Sequence, residues 1–258
     1  MVLSEEKLDE LLPRNKHTFQ SSVNLLYDLL KRIEPKEGHF LFIDIIGRIV
    51  WNAIAVSNSM NTLIKKNDSY GVGSLSRKLF ECHLLLEYLF STENKNKAIA
   101  LIMAYHAYEF KNKSNDFDTD QAIEKAEIII NRFGEDPKIL EYLRSFLDPN
   151  RKQKNWHWSE MSFKKIIKKY FGNRGNEELN SMIIQLKLKL LNNFNNSAHV
   201  DLDLSNDYLK KAANGDLEYV SPFKSSKKEL LGLIGLARQT IKDIIEIVES
   251  NLELKVQD

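Results

Sequence analysis

Apolar residues recur along most of this chain at steps of three and four, the period of a helix that buries one face. One stretch breaks the pattern by being apolar on nearly every side: SLSRKLFECHLLLEYLF, Ser74 to Phe90. At about 100° per residue, Leu75, Leu79, Cys82, Leu86 and Leu89 share one face, while Phe80, Leu84 and Tyr88 occupy much of the opposite one. A helix that is apolar all round belongs at the centre of a fold. The pattern therefore predicts an all-α protein, an irregular multi-helix bundle around a central helix at 74–90. Arg77 and Glu81 would then be buried or line an internal pocket.

Other periodic segments predict helices from Lys16 to Ile33, His39 to Lys66, Lys95 to Lys111, Asp118 to Phe133 and Pro137 to Leu147. Further helices are predicted from Ser159 to Phe171, Glu177 to His199, Ser205 to Ala213 and Ser226 to Leu252. Ser74, Asp118, Ser159, Ser205 and Ser226 stand where capping residues belong, and Pro137 suits a first turn. Leu217 to Val220, bounded by Gly215 and Pro222, is the only strand-like piece. It reads as part of a short hairpin or as an extended linker. Ten glycines and five prolines in 258 residues leave little material for long loops. The helices on both sides of 148–158 need partners for their apolar faces. One domain spanning 1–258 is therefore expected, with that stretch as the place where it would subdivide.

Composition narrows the class. Hydrophobic residues are 43% of the chain, enough for a sizeable core, and the formal net charge is +1, which by itself selects neither nucleic acid nor a membrane surface. The single cysteine, Cys82, excludes an intrachain disulfide and fits a reducing cytoplasm. In its apolar setting it reads as a small core residue. The start, MVLSEEKLDELL, lacks the basic and apolar regions of a signal peptide. Charges interrupt the longest apolar runs, so no membrane span and no membrane partner are expected. Phosphate loops, Gly-x-Gly-x-x-Gly, nucleophile elbows and Cys/His zinc spacings are absent, so no cofactor and no metal are expected.

Three polar clusters carry the candidate chemistry. On the central helix, Arg77 with Glu81 and His83 with Glu87 are each four apart, hence neighbours. In one reading they are intrahelical pairs that satisfy charge in a crowded core. In the other, Arg77 holds an anion through its planar fork while Glu81 or His83 handles protons. The second cluster is LLNNFNNSAHVDLD, Leu190 to Asp203. There Ile184, Leu188, Asn192, Asn195 and His199 form a strip that turns from apolar to polar, either a capped helix end or part of a site. Asp201 and Asp203 add oxygen ligands next to His199, in no recognised metal spacing. The third, Arg151 to Arg174, holds eight Lys or Arg against one Glu, net +7, around Trp156, His157 and Trp158. Basic groups interleaved with aromatics suit a phosphate backbone and base stacking. Equally, Lys164, Lys165, Lys168 and Lys169 are the solvated face of a helix whose stripe is Phe163, Ile166, Ile167 and Tyr170.

Arg77 and His83 together resemble the Arg-x4-6-His signature of HEPN-type helical domains, many of which are metal-independent ribonucleases. That resemblance implies Arg77 on phosphate and His83 in proton transfer. Six helical residues place the two about 120° apart, so such a site would need a homodimer or a distorted turn. A second resemblance spans Ser74 to Asp203. Arg77 and Glu81, then Trp158 opening a helix, then a helix ending at His199 resemble a bacterial family catalogued as domain of unknown function 5677. Asn196 stands where that pattern has serine. The resemblance implies a composite site from Arg77, Glu81, Trp158 and His199, with His157, Asn195 and Asn196 beside it as ligand-binding residues. It also implies company with bacterial defence or toxin systems, hence RNA or a protein as partner. Two functions therefore stand: action on RNA or another phosphate-bearing ligand, or a non-catalytic helical module that binds a protein.

Overall fold

The computed structural model describes residues 4–34, 40–113, 118–148, 209–211, 217–219 and 227–253. The fold class is all-α. The helices are α1 (Glu5–Arg32), α2 (Phe40–Lys65), α3 (Ser69–Ser91), α4 (Lys95–Lys113), α5 (Thr119–Arg132), α6 (Lys138–Leu147) and α7 (Lys227–Leu252). The predicted helices at 159–171 and 177–199 lie outside the described residues.

The predicted 205–213 helix is corrected in part. Leu209–Lys211 is a strand, β1, paired antiparallel with β2, Leu217–Tyr219, so that Leu209 faces Tyr219 and Lys211 faces Leu217. Asn214-Gly215 between them is a hairpin signal that outweighs the short helical pattern.

Two helix starts also differ from the pattern. Residues from Glu5 already belong to α1, whose cap is Ser4, with Glu5 and Glu6 in the first turn. Pro13 reads as a breaker, yet it sits inside α1 on an exposed position. Its missing N–H costs one bond, to the Asp9 carbonyl, on a side that solvent reaches. Helix α3 begins five residues before Ser74. Asp68 caps it, its carboxylate accepting from the Gly71 N–H at 2.9 Å, while the Ser74 hydroxyl donates to the Tyr70 carbonyl. At Gly71 a Cβ would lie 2.7 Å from both Leu63 Cδ1 and the capping Asp68 Oδ2, so a larger residue would have to shift those two side chains. Just before it α2 ends in a Schellman turn. Asn67 is left-handed (φ 58°), its N–H on the Ile64 carbonyl and that of Asp68 on the Leu63 carbonyl.

Helix α3 packs between α2 and α7, and α1 closes the layer against α2 and α7. Leu79, Leu84, Leu86 and Leu89 are fully buried, as a central helix demands. Cross-helix contacts give the directions. Lys16 with Asn67 and Tyr27 with Asn58 make α1 and α2 antiparallel. Lys227 with Asp9 and Arg32 with Glu249 make α1 and α7 parallel. Helices α4, α5 and α6 form a smaller group, and one continuous hydrophobic core runs through both. Glu135, between α5 and α6, joins them. Its buried carboxylate accepts the Leu41 N–H at 2.7 Å, capping the start of α2 from 94 residues away, and Phe133 stacks on Phe40 beside it.

The expectation that no segment qualifies as a membrane span is also corrected. By length and composition, α2 is apolar enough to cross a membrane, with an 18-residue stretch of mean hydropathy 1.7. Its two interrupting charges, Asp44 and Arg48, pair with each other at 2.7 Å. In this fold 56% of that stretch is buried in the bundle.

Candidate functional site at the α3–α7 seam

Helices α3 and α7 run parallel with matched rise. The Ser69 hydroxyl donates to Glu229 Oε2 at 3.1 Å, and fourteen residues further along both helices His83 meets Asp243. The imidazole is 1% exposed. Its Nε2 lies 3.4 Å from Glu87 Oε1, one turn along α3, and its Nδ1 lies 3.9 Å from Asp243 Oδ2 on α7. Asp243 is oriented from its own helix, since Gln239 Nε2 donates to its Oδ1 at 2.8 Å. The Phe80 ring and the imidazole meet edge to face, with centroids 6.1 Å apart.

Beyond this pair the two helices leave a cavity of about 380 Å³. Glu87, Asp243 and Glu246 supply three carboxylates to its lining, Phe90 and Ile247 its apolar walls, and Ser91, Ser250 and Asn251 its rim. Glu87 is buried and Asp243 half-buried, whereas Glu246 is exposed and pairs with Lys242 at 3.4 Å.

Arg77 and Glu81 lie elsewhere on α3. They form an ion pair, Nε to Oε1 at 3.0 Å, with side chains 20% and 27% exposed, so they are half-buried rather than enclosed. The helix is unbroken from Ser69 to Ser91. Arg77 and His83 are therefore about 120° apart around it and about 9 Å apart along it. Both pairs suggested by spacing form, but it is His83–Glu87 that faces the cavity. His199, Trp158, His157, Asn195 and Asn196 lie outside the described residues, so the composite site with Arg77 and Glu81 concerns positions not described.

Asp243 and Glu246 are site residues that sequence reading missed. Thr240, Ile244 and Val248 form the buried seam of α7, and Asp243 interrupts its edge three residues after Thr240. A carboxylate set into an apolar seam is the signal that pointed there.

Cys82 neighbours His83 but is chemically quiet. Burial first, then the charge of Glu81, push its thiol up to about 12 from an ordinary 9.0. Thiolate is the reactive form, and its loss is only partly offset by the greater nucleophilicity of a more basic thiolate. Iodoacetamide at pH 8 should therefore alkylate Cys82 in the native protein at least about tenfold more slowly than in the urea-unfolded chain. Intact-mass time courses measure this, and equal rates would refute the burial argument.

Comparison of this chain with protein-family models, curated proteins and solved structures gives no match.

Proposed function

We propose that this protein is a non-catalytic helical binding module for a protein partner, and that the α3–α7 seam is its binding site. The observation that carries the reading is how Arg77 and His83 are held. Each faces a carboxylate of its own, the two point in different directions from one unbroken helix, and His83 is 1% exposed. Metal-independent cleavage of RNA needs both groups at one phosphate, which from an unbroken helix would take a second copy of the chain. Phosphate would have to enter beside Glu87 and Asp243, against their charge. A partner from a bacterial defence or toxin system is what the sequence resemblance implies.

Action on RNA is the second reading. What favours it is the partial exposure of Arg77 together with the +7 segment, an electrostatic guide for a phosphate backbone. Incubating the full chain with mixed RNA, with and without chelator, separates the two. The expected result is no cleavage in either condition. Cleavage that survives chelation and disappears in both Arg77→Lys and His83→Gln, each shown to be folded by circular dichroism, would overturn the module reading.

A further inference from the structure

We draw no further inference here: the strongest candidate, the side-chain cluster of His83, Glu87 and Asp243 at the α3–α7 seam, belongs to the site already described, and nothing in the structure points to a ligand it would take.

Discussion

Replacing His83 with alanine is expected to lower stability by about 3 kcal/mol, because it removes the imidazole from beside a buried carboxylate and leaves a void. Glu87 has its Oε1 3.4 Å from the ring, and its side chain is 8% exposed. A buried polar group that loses such a neighbour keeps its desolvation cost and loses part of what offset it. The double change His83→Leu with Glu87→Leu removes that cost along with the pair. It should stay within about 1 kcal/mol of the native protein. Urea unfolding of His83→Leu, Glu87→Leu and the double completes the cycle. A loss below about 1 kcal/mol for His83→Ala would show that the pair is not energetically enclosed.

Leu86→Ala is expected to cost about 3 kcal/mol through lost transfer energy and a residual cavity. Leu86 is fully buried on α3, the helix packed between α2 and α7. In a chain of this size the midpoint of thermal unfolding should fall by roughly 6 to 12 °C. Leu25→Ala, on a residue 56% exposed, provides the control and should change stability by no more than about 0.5 kcal/mol. Calorimetry that gave the two leucines equal effects would refute the central placement of α3.

The centrality of α3 was legible because an apolar residue on every side leaves no face for water. Its beginning was not. Gly71 and Gly73 look like a connection, and the crowding of a Cβ at Gly71 by Leu63 and Asp68, each 2.7 Å away, is not recorded in the pattern. Pro13 concealed the first turns of α1 in the same way, since its cost depends on whether the orphaned carbonyl faces solvent, which periodicity does not record. The candidate site was half readable. Spacing on α3 gave two equivalent polar pairs, and what ranks them is α7, about 160 residues later. Asp243 meets His83 only because the two helices run parallel with matched rise. A single-sequence pattern holds that information neither in spacing nor in composition. The Glu135 cap on α2 is invisible for the same reason.

The parallel course of α7 beside α1 and α3 also sets an order of events during synthesis. Helices α2 and α3 are joined by three residues and can pair as soon as both have left the ribosome. The strip of α3 that α7 covers waits until residues beyond 227 emerge. Loop-closure entropy makes that late docking costlier than the α2–α3 contact, though only logarithmically so. During the interval the strip of α3 that carries Ser69 and His83 stays uncovered, the kind of surface that chaperones and aggregation compete for. The cavity beside His83 comes into existence only with that docking, so a nascent chain has no such site to offer until α7 has emerged.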